Sequence, residues 1–379
     1  ASWSSIHEEI LLLIVAYLQC FADRVSVAGV CHEWRQAVKQ HVTALPPQLP
    51  WLLQPSGDHA PSTFASFLSG TSRRISLPED VRRVHRFCGS HDGGWIAVAN
   101  DFEGLYEFVN LLLPLSRDGM RIRLPSEVSL PFLTGARLPA GIRMVTLSDK
   151  PTAHNCIAAA HTVDAYPNPS IVFCRPQVDR HWIWPLMQTE PLQDTLYHRG
   201  DVFQGFYAIS NRDNLYVFLP GDIDAAMNDL VMRQVVISFG PVVPYLLPAI
   251  SIARYLVESR GKLLLVVRYS GSTTGTMARR TLHFKVFEMQ LKPLPNGGHS
   301  ASWVELDDLD GRVLFIGKGC SRAFEAGQYA GFQGGSIYFL NDAEGRTSEI
   351  YSKVVFADMG TYSMGERMIV RPDLPTPSL

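Results

Sequence analysis

Gly261-Lys262-Leu263-Leu264-Leu265-Val266-Val267 opens with a turn glycine and continues as an unbroken apolar run, with Phe284-Lys285-Val286-Phe287 and Trp303-Val304-Glu305-Leu306 downstream of it. A Gly-containing turn followed by a short apolar run reads as the opening of a hydrophobic strand, and the two later stretches as further strands of the same unit. The succession recurs. Gly93-Gly94-Trp95-Ile96-Ala97-Val98 leads to Leu105-Tyr106-Glu107-Phe108-Val109 and Ile122-Arg123-Leu124-Pro125. Gly205-Phe206-Tyr207-Ala208-Ile209 leads to Leu215-Tyr216-Val217-Phe218, and Gly335-Ser336-Ile337-Tyr338-Phe339-Leu340 precedes Val354-Val355-Phe356. Weaker copies fall at Trp51–Leu77 and Cys156–Pro185. A repeat of roughly 45–55 residues with about four short strands is the pattern of propeller blades, and the copies make about six. One four-stranded unit cannot bury both of its faces, whereas stacked units can. The expected fold is therefore mainly β, with a large β-sandwich as the competing architecture.

Composition agrees with a folded chain of this type. Of 379 residues, 46% are hydrophobic and only 18% charged, enough apolar material for a core and too little charge for a disordered segment. The 29 Gly and 25 Pro favour many turns between short strands. A formal net charge of -2 and a pI near 6.7 supply no field that would draw the chain to nucleic acid or an anionic membrane, so neither partner is expected. The pairs Arg73-Arg74, Arg82-Arg83 and Arg279-Arg280 are interrupted by apolar and acidic residues and read as solvated loops. Six cysteines, at 20, 31, 88, 156, 174 and 320, show no C-x-x-C spacing and read as buried thiols of a reducing compartment. The most apolar run, Ile10–Leu18, is too short to span a bilayer, and Glu8 and Glu9 stand where a secretory leader carries positive charge. An intracellular, soluble protein of the nucleus or cytoplasm is the expectation.

The first forty residues follow a different period. Ile6, Ile10, Leu13, Ile14, Tyr17 and Leu18 recur at three- and four-residue steps, the mark of one helical face, and Ser5 with Glu8 has the spacing of a capping box. Asp23 is placed to cap a second helix carrying Val25, Val27, Ala28 and Val30, and a third carries Trp34 and Val38 and ends before Pro46-Pro47. Three short helices bury too little surface to be stable alone, so a partner is expected.

The run Trp3-Ser4-Ser5-Ile6-His7-Glu8-Glu9-Ile10-Leu11, followed by Ile14, Leu18, Asp23, Arg24, Val27, Val30-Cys31 and Trp34-Arg35, resembles the F-box, in which a Leu-Pro pair opens the first helix and V-C-x-x-W-R closes the last. His7 stands where that motif has Pro, which bears on adaptor affinity. The resemblance implies docking to the Skp-type adaptor of a cullin-RING ubiquitin ligase through Ile6, His7, Ile10, Ile14 and Leu18, with Val27, Val30 and Trp34 forming the small helical core. Tyr255-Leu256-Val257-Glu258-Ser259-Arg260-Gly261-Lys262-Leu263-Leu264, Phe284–Glu288, Tyr197-His198-Arg199-Gly200 and Phe315-Ile316-Gly317 extend it to the plant F-box family whose C-terminal half is a domain of unknown function pictured as a kelch-like propeller. The implied organisation is an F-box over residues 1–42, a Pro-rich linker over 43–50, a propeller over 51–371 and a tail over 372–379.

Nothing in the sequence reads as a catalytic or metal centre. His7-Glu8-Glu9 begins like a zinc-protease motif but has Leu11 where the second His would fall, and Gly271–Gly275 lacks the Lys of a phosphate loop. No G-x-S-x-G elbow occurs, and His154 and His283 are isolated. Trp182 and Trp184 project to one side of a strand, as a blade's packed face or a recognition surface. The reading is a non-catalytic substrate receptor of a Skp-cullin-F-box ligase that needs no cofactor, reaches cullin and RING protein through the adaptor, and presents a protein target. A propeller enzyme or small-molecule binder without a ligase role is the rival.

Overall fold

The computed structural model describes residues 6–18, 21–41, 49–54, 63–66, 72–74, 86–100, 103–110, 121–130, 136–162, 171–185, 190–221, 230–239, 250–272, 279–293, 299–329, 331–340 and 358–371. The chain divides into two units. One comprises residues 1–76 with 310–313 and 324–335; the other comprises 77–309, 314–323 and 336–379.

The first unit carries helices α1 (Glu8–Tyr17), α2 (Phe21–Ala28) and α3 (His32–Gln40). Helix α1 starts after His7, which makes no side-chain cap, and the Ser5 of the expected capping box lies outside the described residues. Asp23 sits within the first turn of α2 rather than ahead of it, where its charge still complements the helix dipole. The unit also holds a three-stranded sheet, β1 (Trp51–Gln54), β2 (Thr63–Ser66) and β3 (Ser72–Arg74), in that order.

Five larger sheets are the blades. The first is β4 (Arg86–His91), β5 (Trp95–Asn100), β6 (Leu105–Asn110) and β7 (Arg121–Leu124), side by side in chain order. The second joins a hairpin of β8 (Glu127–Ser129) and β9 (Arg137–Pro139) to β10 (Ile142–Leu147), β11 (Ala158–Thr162), β12 (Ile171–Cys174) and β13 (Trp182–Ile183), the last pairing in parallel with β8. The third is β14 (Leu192–Arg199), β15 (Gln204–Ser210), β16 (Leu215–Pro220) and β17 (Met232–Ile237). The fourth is β18 (Ile250–Ser259), β19 (Lys262–Ser272), β20 (Arg279–Pro293) and β21 (His299–Leu306). The fifth has β22 (Arg312–Ile316), β23 (Arg322–Glu325), β24 (Ser336–Phe339), β25 (Gly360–Ser363) and β26 (Met368–Val370), in the order β23-β22-β24-β25-β26.

The count corrects the expected six. The Trp51–Leu77 copy is not a four-stranded blade but the separate β1–β3 sheet, because turn spacing fixes where strands begin and not which sheet they join. Val354-Val355-Phe356, expected to continue the last copy, lies outside the described residues.

The run that opened the reading shows why the blades stack. Alternate residues of β19 face opposite ways: Leu263, Leu265 and Val267 join Tyr207, Ile209 and Val217 of the third blade, while Leu264 and Val266 join Leu314, Ile337 and Phe339 of the fifth. The same split occurs at β11, where Ala158 and Ala160 pack toward Trp95 and Phe108 and Ala159 packs toward Phe206 and Phe218. The central stretches of the middle strands, such as Leu263–Val267 and Ala158–Ala160, are thus apolar at every position, while β17 and β26 keep exposed residues. Each fully buried Leu or Val contributes about 1.5–3 kcal/mol. The β18–β19 turn has φ +52 at Arg260 and +71 at Gly261, the two left-handed residues of a two-residue hairpin. Trp182 is buried with its Nε1 donating to the Pro125 carbonyl at 2.7 Å, and Trp184 packs partly buried on the same cluster, so both lie on a packed face.

Candidate functional site

Helix α1 divides its apolar residues between two faces. Leu11 and Val15, one turn apart, are buried with Ala37 of α3 in a core that Ile6, Val27, Trp34 and Val38 surround. Ile10 (51% exposed), Leu13 (63%), Ile14 (41%) and Tyr17 (83%) stand in solvent at the i, i+3, i+4, i+7 spacing of a second face. Glu8 and Glu9 are exposed at the start of the helix.

Two arginines hold the turns of this small unit. Arg24 is buried, and its Nε donates to the Leu18 carbonyl just past the end of α1 at 2.7 Å; burial lowers the pKa of its guanidinium. Arg35 Nε donates to the Ala28 carbonyl, the last of α2, at 3.2 Å. Both place a cation on the carbonyl-rich end of a helix, where the dipole favours it. His41 Nε2 and Glu8 Oε1, 3.1 Å apart and both exposed, link the end of α3 to the start of α1.

Of the five residues expected to face an adaptor, Ile10 and Ile14 lie on the exposed stripe, and His7 is exposed just before α1. Ile6 instead packs partly buried on the helical core, and Leu18 is half-buried with its carbonyl taken by Arg24. Of the three expected core residues, Val27 and Trp34 pack on Leu11 and Val15, whereas Val30 is 57% exposed, in the turn after α2. Trp34 Nε1 is buried with no hydrogen-bond partner among the described residues. The stripe gains Leu13 and Tyr17, and the core gains Leu11 and Val15. A 3.6-residue period separates these pairs only once the direction of the core is known, because α1 is apolar at nearly every position from 10 to 15.

Among the described residues no three His, Cys, Asp or Glu side chains are grouped to hold a metal ion, and no helix is long and apolar enough to cross a membrane. Cys88, Cys156 and Cys174 are buried, Cys31 and Cys320 half-buried, and Cys20 lies outside the described residues. Burial pushes the Cys156 thiol up to about 11 and Cys174 well above its ordinary value, the opposite of an activated thiolate.

The model of the KIB1-4 beta-propeller family matches residues 64–363, well over half of the chain. The chain belongs to this family. The KIB1-4 model covers the first four blades and the fifth as far as β25, but not the three helices. For the chain as a whole, a similar protein is "Putative F-box protein At3g25750" of Arabidopsis thaliana, 24% identical over 363 residues that span 89% of this chain and 87% of that one. Among solved structures, Hsv2 of Kluyveromyces lactis is similar at a TM-score of 0.30 and 9% identity, over 69% of this chain and 84% of its own. Hydrazine synthase of Kuenenia stuttgartiensis is similar at 0.32 and 12%, over 86% and 92%. At these TM-scores neither likeness decides anything about this KIB1-4 chain.

Proposed function

We propose that this chain is the substrate receptor of a Skp-cullin-F-box ubiquitin ligase. Helices α1–α3 dock on a Skp-type adaptor and through it on cullin and RING protein, and the propeller holds a protein target. The observation that carries the reading is the outward face of α1. Ile10, Leu13, Ile14 and Tyr17 form an apolar stripe on a helix whose core, among the described residues, buries Leu11, Val15 and Ala37. Burying such side chains is worth about 1.5–3 kcal/mol each, so a stripe held in water by so small a unit fits a surface that another protein covers. The Arabidopsis relative, described as an F-box protein and aligned over most of this chain, supports the same reading. Blades that bury both faces make a rigid carrier for loops that recognise a target. No chemical step falls to the receptor: it raises the effective concentration of target beside the ubiquitin-charged enzyme. Nucleus or cytoplasm is where this role places it.

The test is Ile10→Asp together with Ile14→Asp in the full chain, titrated calorimetrically against a purified Skp-type adaptor. Both side chains already face solvent, so the melting transition should be kept while adaptor binding is lost, since each carboxylate would enter an apolar interface unpaired. Wild-type affinity in the double variant would show that the stripe is not the docking face.

A further inference from the structure

Of the 34 Lys and Arg residues only seven are Lys, and none of these falls between residues 40 and 149 or between 151 and 261. In ordinary chains Lys is among the commonest residues. Buried Arg268 needs a guanidinium: its Nε, Nη1 and Nη2 donate at once to Thr281, Leu340 and Asp358, a fork that an ammonium cannot form. The exposed arginines have no such need. Arg212 Nη1 lies 3.6 Å from Glu190 Oε1 and Arg137 Nη1 lies 3.6 Å from Glu127 Oε2, with both arginines in solvent. Arg123, Arg180, Arg233 and Arg280 are exposed as well. Surface pairs of this kind contribute about 0–1 kcal/mol, and an ammonium would make them equally well. What such a surface lacks is a primary amine.

The lysines that remain differ in their surroundings. Lys285 Nζ is held 2.9 Å from Glu305 Oε1, and Lys318 is half-buried with its charge acting on Asp194 and His161. Lys39 lies on α3, and Lys353 falls outside the described residues. Lys150, Lys262 and Lys292 are exposed. These three share one end of the propeller. His198 and Glu258, the last residues but one of β14 and β18, are 3.5 Å apart, so those strands finish together. β4 finishes with them, because Arg322 lies 3.5 Å from Asp92, the residue after β4, and its charge acts on Glu258. β10 runs beside β4 in the same sense: Cys88 Sγ donates to the Ile142 carbonyl, and a Cβ on Gly89 would meet the Val145 carbonyl at 2.5 Å. β20 is antiparallel to β19, and β19 to β18, so β20 also finishes there. Lys150 follows β10, Lys262 follows the turn after β18, and Lys292 is the last residue but one of β20. At the other end, where these strands begin, Arg212 and Arg280 supply the cations and no Lys occurs among the described residues.

We propose that the receptor is a poor acceptor of the ubiquitin it helps to transfer, and that self-conjugation on the blades is confined to Lys150, Lys262 and Lys292 at this one end. The proposal rests on the ligase reading above. In the step concerned, a lysine Nζ in its free-amine form attacks the thioester carbonyl of the C-terminal glycine of ubiquitin, carried on the conjugating enzyme. An isopeptide bond forms, the C–S bond breaks, the enzyme's cysteine leaves as thiolate and the amine gives up a proton to water. A guanidinium, protonated at every working pH, cannot make that attack.

The test is the full chain assembled with adaptor, cullin and RING protein and supplied with activating and conjugating enzymes, ubiquitin and ATP, without a target. Peptide mass spectrometry should find ubiquitin remnants on Lys150, Lys262 and Lys292, and Lys150→Arg with Lys262→Arg and Lys292→Arg should lower self-conjugation about tenfold. Arg137→Lys with Arg212→Lys and Arg233→Lys should raise it about twofold and add remnants at those positions. All six changes keep the charge at exposed positions, so the melting transition should stay in place and serves as the folding control. A triple Lys→Arg chain conjugated as strongly as wild type, remnants mainly on Lys39, Lys285, Lys318 or Lys353, or Arg→Lys positions left unmodified would each overturn the proposal. Size exclusion separates this from the reading it rests on: if no complex assembles, the ligase reading fails and takes the proposal with it, whereas a complex that assembles and conjugates elsewhere sinks the proposal alone.

Discussion

Replacing Asp358 with Ala should be among the most damaging single changes in the blades. Asp358 Oδ2 accepts from Arg268 Nη2 at 2.8 Å, from Thr281 N at 2.7 Å and from Thr281 Oγ1 at 2.7 Å. Arg268 Nη1 donates to the Leu340 carbonyl at 2.8 Å, its Nε to Thr281 Oγ1 at 2.7 Å, and its guanidinium carbon lies 5.0 Å from the Phe339 ring centroid. The network ties β19 and β20 of the fourth blade to residues of the fifth, and the Arg268 and Asp358 side chains are only 5% and 4% exposed. Truncating Asp358 leaves a guanidinium buried beside an aromatic ring without its carboxylate, and leaves the Thr281 amide without its acceptor. Breaking one side of such a pair costs about 3–5 kcal/mol, which for a domain of this size lowers the melting temperature by roughly 6–20 °C. Differential scanning calorimetry at one pH reads the shift. The double variant Arg268→Met with Asp358→Leu removes both charges together and should recover much of the loss. A single-variant cost under about 1 kcal/mol, or a double variant at least as unstable as Asp358→Ala, would refute the claim that an uncompensated buried charge sets the magnitude.

Two further outcomes follow from the same packing. Removing residues 351–379 takes away Asp358, β25 and β26 and should abolish the cooperative melting transition, whereas trimming only the Pro-rich 372–379 should shift it by no more than about 2 °C; equal transitions for both truncations would count against a stacked-blade architecture. Cys156, buried and with its thiol pushed up to about 11, should resist iodoacetamide at about pH 8 in the native chain and react at the rate of a free thiol once denaturant is added, as peptide mass spectrometry would show.

The sequence by itself determined the class of fold. Leu263–Val267 and Trp95–Val98 are apolar at every position, which requires cover on both faces, and their recurrence with turn glycines requires stacked units. The change from a period near 3.6 before residue 42 to short apolar strands after it separated the helices from the strands, and the F-box resemblance supplied the role proposed for α1. Tertiary structure alone decided the rest. Trp51–Leu77 has the turn spacing of a blade yet forms its own three-stranded sheet, because strand pairing depends on partners far along the chain. Within α1, Ile10, Leu11, Leu13, Ile14 and Val15 are equally apolar in sequence, and only the position of Ala37 and Trp34 turned Leu11 and Val15 inward and left Ile10, Leu13 and Ile14 in solvent. Gly319, Asp194 and Leu256 carry no local signal of their meeting. Residues 125 and 62 positions apart are brought within hydrogen-bonding distance by the blades that carry them, and a contact that depends on how whole sheets stack leaves no periodic trace in the chain.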